Sequence, residues 1–233
     1  IFEQRFEDQR SNERSFLLLG LGASYRLRSE LELYANFSQN YRSINFSDLA
    51  VVNPNLLIDS TLTDESGYNL ELGLRGRVAG GLGRFDLSAF YLRYNDRIGL
   101  TEVLAGSPQR LTTFRTNIGD AGIVGLEAYA EFDLLQYLNG PESPWSLRPF
   151  LNLSLIRGRY LSGENAIIGN EVELIPPFTL KTGFDLQYKN LQFSTLYTYV
   201  HRHYSDATNA TLVSDATRGL IPAYQVVDLS LSY

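Results

Sequence analysis

Apolar and polar residues alternate along several stretches of the chain with a period of two. In LELYANFSQNY (31–41), Leu31, Leu33, Ala35, Phe37 and Tyr41 share one parity, and Glu32, Tyr34, Asn36, Ser38 and Asn40 take the other. A strand with one apolar and one polar face requires this alternation. It returns in GYNLELGLRGRV, where Tyr68, Leu70, Leu72, Leu74 and Val78 oppose Asn69, Glu71, Arg75 and Arg77. In IVGLEAYAEFDLL, Val124, Leu126, Ala128, Ala130, Phe132 and Leu134 oppose Glu127, Tyr129, Glu131 and Asp133. FTLKTGFDLQY and YQVVDLSLSY repeat it, with Lys181, Asp185, Gln187, Asp228, Ser230 and Ser232 on the polar side. These runs are about ten to twelve residues long. Strands of soluble domains average about five or six, whereas a tilted strand crossing a bilayer needs roughly nine to eleven.

The connections have a rhythm of their own. Arg28-Ser29, AGGLG (79–83), 136–144 and Lys189-Asn190 are mostly short joints rich in Gly, Asn or Pro, and between them lie long stretches without alternation, 42–65, 99–121, 162–176 and 205–223. Short turns at one end and long loops at the other are the signature of an outer-membrane β-barrel. Unpaired backbone cannot sit in hydrocarbon, so irregular chain is pushed outside. Nine strands are expected, at roughly 16–27, 30–41, 66–78, 84–97, 122–135, 145–161, 177–188, 191–204 and 224–233, with 2–10 as the end of a tenth. The fold class is therefore all-β, an antiparallel up-and-down transmembrane barrel present in part. Leu33, Phe37, Leu70, Leu72, Leu126, Phe132, Leu186 and Leu229 should face lipid, and Glu71, Arg75, Glu127, Glu131, Asp185 and Asp228 the lumen. Tyr41, Tyr94, Tyr160, Tyr188, Tyr204 and Tyr224, near strand ends, suit interfacial girdles. A soluble β-sandwich also alternates, but its strands and loops would be shorter. Strand 84–97 is mixed: Phe85, Leu87, Ala89 and Tyr91 oppose Phe90, Leu92 and Tyr94, which implies a bulge or a packed lumen-side surface.

Composition adds exclusions. The chain has 233 residues, no Cys, and a net charge of −6. Without Cys there are neither disulfides nor thiolate metal sites, and the negative balance argues against nucleic acid as a partner. No run approaches eighteen apolar residues, so no membrane helix is expected. A basic n-region followed by an apolar core is not found, so no signal peptide is expected within these residues.

Five segments, in order, resemble the barrel of TonB-dependent outer-membrane receptors. YRSINFSDL resembles the aromatic–Arg segment that closes an early strand, and NPNL followed by TDESGYNLELGLRG resembles the block that opens the next. FYLRYNDRIGL with TNIGDAGIVGLEAYAEFDL resembles a strand–loop–strand block, and LIPPFTLKTGF and YQVVDLSLSY resemble later strands. NFSDLAVVNPN, SLIRGRY and YSDATNA look most like receptors for ferric dicitrate. The resemblance covers nearly the whole chain, making 1–233 part of the barrel domain. It implies an outer-membrane location and TonB-dependent uptake of a ferric siderophore or ferric citrate. The implied partners are the TonB complex, acting through a plug segment not present here, and outer-membrane lipid and lipopolysaccharide. Such receptors carry a plug, a TonB-contacting box and about twenty-two strands; this sequence has neither plug nor box, and is expected to be an internal fragment with two unpaired edges.

Candidate chemistry concentrates at the loop ends. Arg42, Arg97, Arg110, Arg115, Arg157, Arg159, Arg202 and Arg218 fall where strands should reach the outer surface. A ferric-citrate complex is anionic, and guanidinium forks bind carboxylates bidentately. Arg42 and Arg115 are the preferred pair; any of the set could instead solvate a loop or bind lipopolysaccharide phosphates. His201 and His203, at i and i+2, could bind metal, but no third ligand is evident: Asp206 has the opposite parity. No metal site and no cofactor is expected. The lumen carboxylates suggest acid–base work, but Arg75, Arg77 and Lys181 share their faces, as salt-bridged walls require, and no catalytic order of Ser, His and Asp accompanies them. The chain is thus not expected to be an enzyme. A self-contained ten-stranded barrel acting as pore or enzyme, and a surface adhesin, are the competing readings.

Overall fold

The computed structural model describes residues 15–45, 56–106, 109–211 and 219–233. Its strands are β1 (Gly20–Arg28), β2 (Leu31–Arg42), β3 (Leu56–Ile58), β4 (Glu65–Val78), β5 (Gly83–Ala105), β6 (Arg110–Phe132), β7 (Trp145–Tyr160), β8 (Phe178–Tyr188), β9 (Leu191–Val200), β10 (His203–Tyr204), β11 (Leu220–Ile221) and β12 (Tyr224–Ser232). A helix, α1 (Leu134–Asn139), joins β6 to β7. One sheet runs β1-β2-β4-β5-β6-β7-β8-β9-β12, each strand antiparallel to the next. This is the up-and-down order expected, with all long connections at one end. A sandwich is ruled out because no second sheet covers the first among the described residues; the only other sheet there is the two-residue ladder β10–β11. β1 and β12 each have a single neighbour there, so both edges are open.

The register confirms the two faces. Leu33, Leu74, Leu87, Ala128, Leu153 and Leu180 lie side by side across six strands. The next row, Tyr34, Gly73, Ser88, Glu127, Ser154 and Thr179, points the other way, because a one-residue step reverses the face. All eight residues expected to face lipid share the first face, and all six expected lumen residues share the second. Leu72, Leu126 and Leu229 are 55%, 56% and 66% exposed. Burying such a leucine is worth roughly 1.5–3 kcal/mol, and among the described residues nothing covers this face.

On the lumen face, glycines leave room for rings on neighbouring strands. A Cβ at Gly73 would meet the Tyr34 ring at 2.1 Å, and one at Gly125 would meet Phe90 at 2.3 Å. Tyr34 donates to Asp86 Oδ1 at 2.9 Å, while Arg75–Glu32 (2.8 Å) and Arg84–Glu131 (2.6 Å) bridge adjacent strands. The lower wall is thus an alternating polar surface around a cavity of about 490 Å³ lined in part by Arg26, Glu30, Glu32, Arg75, Arg84 and Asp86.

Several expectations require correction. The stretch 99–121 is not irregular: β5 and β6 each run 23 residues and pair to Ala105↔Arg110, a hairpin standing above the barrel rim. A register shift at Tyr94/Arg97, with Asp96 at φ 52°, bends this hairpin where it leaves the wall. The tenth strand of the sheet is β3, which lies parallel to β6 (Leu57↔Phe114), so the sheet is not wholly antiparallel. The suggested strand end at 2–10 lies outside the described residues. The joint 136–144 contains most of a helix rather than a plain turn. Among the girdle tyrosines, Tyr41 and Tyr188 have the lipid-side parity. Tyr94, Tyr160 and Tyr224 have the lumen parity, and Tyr204 sits in the separate β10–β11 ladder. The mixed parity of strand 84–97 has both of its candidate causes. Beside the bulge, Phe90, Leu92 and Tyr94 pack on a lumen-side cluster of Ile118, Ala121, Ile123, Tyr160, Ile167, Val172 and Ala207.

Candidate functional site

The cluster at the top of the lumen is built from strand and loop together. The 161–177 connection does not stand away from the barrel but folds over the wall. Val172 N donates to Gly158 O (3.2 Å), Tyr160 N to Asn170 O (3.0 Å), and Leu161 N to Asp120 O (2.8 Å). Gly119 is required where this loop crosses the hairpin: its φ is 144°, and a Cβ there would lie 2.1 Å from Ser162 O. The loop after β9 locks onto it in turn. Asn170 Nδ2 donates to Ala207 O (2.9 Å), Glu171 N to Asn209 Oδ1 (2.7 Å), and Asn209 Nδ2 to Glu171 O (2.9 Å). The 56–64 segment docks against the other side of the hairpin. Asp59 accepts from the Thr116 hydroxyl (2.6 Å), the Thr61 hydroxyl (2.6 Å) and the Thr61 amide (2.8 Å). Those bonds, Thr116 first, hold its carboxyl below the usual carboxylate range. Thr63 and Asn117 add a reciprocal pair of bonds, with Thr63 N to Asn117 Oδ1 at 2.8 Å and Asn117 Nδ2 to Thr63 O at 3.0 Å.

Within this frame two of the expected arginines meet carboxylates on the lumen side. Arg42, the last residue of β2, lies opposite Glu65 and pairs with it (Nη1–Oε2 3.4 Å). Glu65 is buried and also accepts from Ile98 N (3.0 Å), which ties that pair to the base of the hairpin. Arg97 reaches Glu173 of the folded-over loop through Nη2 (3.0 Å) and Nε (3.3 Å). Tyr160 donates to the other oxygen of Glu173 (2.6 Å), and the Arg97 guanidinium stands 5.5 Å over the Tyr94 ring. Arg97, Glu173 and Tyr160 therefore close one network across β5, β7 and the loop.

Four other arginines of the set are placed elsewhere. Arg115 is half-buried on β6, where its carbonyl accepts from Asp59 N (2.9 Å) and its backbone pairs with Ile58 of β3. Arg157 and Arg159 lie opposite Val124 and Gly122, on the lipid-facing parity at the outer rim; Arg159 donates to Gly169 O. Arg202 is exposed between β9 and β10. Arg218 and the side chain of Arg110 lie outside the described residues. The His201 ring contacts the Tyr199 hydroxyl (3.1 Å) and His203 Nδ1 contacts His201 O (3.1 Å).

Sequence reasoning missed Glu65, Glu173 and the part played by Tyr160. Glu65 had a signal: a β2–β4 hairpin in register through Leu33 and Leu74 sets it opposite Arg42. Glu173 had none, because its partner is 76 residues away and the contact forms only when the loop folds back.

A family model described as TonB dependent receptor-like, beta-barrel matches residues 3–233. No curated protein sequence matches the chain significantly. Among solved structures, the unliganded ferric citrate transporter FecA superimposes with a TM-score of 0.66 at 20% identity, over 90% of this chain and 29% of that one. The copper transporter OprC gives 0.64 at 16% identity, over 90% and 30%. The ferric yersiniabactin uptake receptor FyuA from Yersinia pestis gives 0.61 at 21% identity, over 91% and 29%. The chain thus spans about 30% of the length of these proteins, and at such identities the likeness is one of fold.

Proposed function

The chain belongs to the TonB-dependent receptor β-barrel family, a family of outer-membrane receptors and transporters, and from that premise we propose that it supplies wall and outer loops to a transporter of an anionic ferric chelate such as ferric citrate. In this reading the plug that fills the lumen and couples to the TonB complex comes from elsewhere in the parent protein. The chain itself does no catalysis. The observation that supports the reading is the placement of arginines on separate strands at the loop end of the lumen. Arg42 and Arg97 sit there on separate strands, and Arg115 stands on the hairpin above them. Arg42 and Arg97 each engage one carboxylate through part of a five-donor guanidinium, so a citrate carboxylate adds to that pairing through the remaining N–H groups and does not displace it. Arg157 and Arg159, on the outward face, are assigned to lipopolysaccharide phosphates rather than to the chelate, and Arg202 to the mouth of the vestibule.

The test replaces Arg42 and Arg115 by Ala, singly and together, in the full-length receptor and measures ferric citrate binding at low and high salt. Hydrogen bonds to a charged partner are worth about 1.5–3 kcal/mol, so each lost contact should weaken binding roughly ten-fold or more. The loss should shrink as salt rises. Arg157→Ala should change little. Unchanged affinity in both single variants and in the double variant would remove these residues from the site.

A further inference from the structure

At the short-turn end of the barrel, one joint breaks the pattern of plain turns. Helix α1 begins at Asp133, whose side chain accepts from Gln136 N (3.1 Å) and from the Ser146 hydroxyl. It ends at Gly140, which has φ 87° and donates to Gln136 O (3.0 Å). The cap and the Ser146 bond fix its orientation, since Asp133 is buried. The orientation is the reverse of what a water-facing helix adopts. Leu134, Tyr137 and Leu138, spaced i, i+3 and i+4 on one face, are 39%, 59% and 65% exposed, while Leu135 and Gln136 are less so. A surface helix ordinarily turns such a stripe toward the core.

The stripe is continuous with the lipid-facing surface. The Tyr137 ring meets Phe132 edge-on at 5.3 Å, and Phe132 shares the parity of Leu126. On the next pair of strands Trp145 stacks on Tyr188 at 4.2 Å, both on that same face, with Lys189 Nζ 5.4 Å over the Tyr188 ring. Lys189 N donates to Pro144 O (3.3 Å), which joins the β8–β9 turn to the segment following α1. Exposed leucines, a belt of aromatic rings and a lysine at the strand ends make up the chemistry of a bilayer interface. There amphipathic rings sit at headgroup level and cations reach phosphates.

We infer that α1 is an interfacial foot: its Leu134–Tyr137–Leu138 face lies in the inner-leaflet boundary of the outer membrane against phospholipid, and the Trp145–Tyr188–Lys189 cluster extends the same contact along the rim. The inference rests on the barrel and its lipid face, and is independent of the cargo.

Leu134→Cys, Tyr137→Cys and Leu138→Cys, each carrying a nitroxide label, would be prepared in the full-length receptor and reconstituted into phosphatidylethanolamine/phosphatidylglycerol vesicles. Collision rates with oxygen, which partitions into lipid, and with a neutral nickel chelate, which stays in water, are read by electron paramagnetic resonance. Leu126→Cys gives the lipid reference and Glu142→Cys, in the turn after α1, the aqueous one. Heat-modified gel mobility establishes that each variant is folded, and three independent positions guard against the loss of one. The expected result is oxygen collisions exceeding nickel collisions severalfold at 134, 137 and 138, as at 126, with the reverse at 142. Dominant nickel collisions at the three helix positions would overturn the inference by placing the helix in water. Low rates with both reagents would overturn it too, by showing the face covered by protein, a second copy included.

Discussion

Glu173→Gln in the full-length receptor removes one charge from the Arg97–Glu173–Tyr160 network while keeping the side chain's shape. The two charged side chains are 19% and 12% exposed. Breaking a fully buried pair costs about 3–5 kcal/mol because the surviving charge is left without its partner; with this residual exposure, about 2–3 kcal/mol is the appropriate share. The cost falls on the docking of 161–177, not on the barrel, since the strands beneath are held by their own ladders. As each 1.4 kcal/mol is a factor of ten, the open population of the loop should rise about 30- to 150-fold. Amide hydrogen exchange reads this directly, because local opening sets the rate. The informative amides are those of Tyr160, Leu161 and Val172, whose acceptors are Asn170 O, Asp120 O and Gly158 O. Their exchange should accelerate by that factor while amides of β2 and β4 stay unchanged. Arg97→Ala should act on the same amides, and the double variant should lose less than the sum, as residues sharing one network do. Exchange within two-fold of wild type at those three amides, or additive losses, would refute the account of the loop as held by this ion pair.

Two other outcomes follow from the rim and the wall. Gly125→Val should drive the Phe90 ring off the lumen surface, since even a Cβ at 125 lies 2.3 Å from it; overpacking of this kind costs about 1–3 kcal/mol, read as a lower thermal midpoint of the folded barrel. Asp59 titrates below its ordinary value because Thr116 and Thr61 donate to it, so its contribution to docking is complete above about pH 3.9 and is lost as pH falls through the lower folded value. Proteolysis of the 56–64 segment should therefore be constant from pH 7 to about 4 and rise only below that. A rise centred above pH 4 would contradict the assignment.

The wall was legible in the sequence because lipid on one side and water on the other force a period of two. Leu33, Leu70, Leu72, Leu126, Leu186 and Leu229 on the lipid side, and Glu71, Glu127, Glu131, Asp185 and Asp228 in the lumen, follow from that rule and from consecutive pairing. The rule fails where water lies on both sides of the sheet or loops pack on it. Above the rim, β5 and β6 carry no membrane face, so residues 99–121 alternate poorly and looked irregular although they pair. Tyr94 and Tyr160 looked like interfacial aromatics because position along the strand was visible and the partner loop was not; Tyr160 is 1% exposed beneath 161–177. The rim arginines were found by charge and placement. What divides them is parity: Arg42 falls on the lumen side, and Arg157 and Arg159, on odd positions of β7, fall outside. That division could have been read from the strand pattern. The Glu173 partnership could not, because nothing local to the 161–177 segment dictates that it folds inward.

Transport of an anionic ferric chelate is the activity proposed for the full-length receptor. Cells in which the full-length receptor is the sole route for ferric citrate, given iron-55 citrate with and without a collapsed proton gradient, provide the most direct measurement. The expected result is saturable accumulation of iron that stops when the gradient is collapsed and falls in the Arg42→Ala/Arg115→Ala variant. Accumulation indifferent to the gradient, or none from an anionic ferric chelate while a neutral ligand enters, would contradict it.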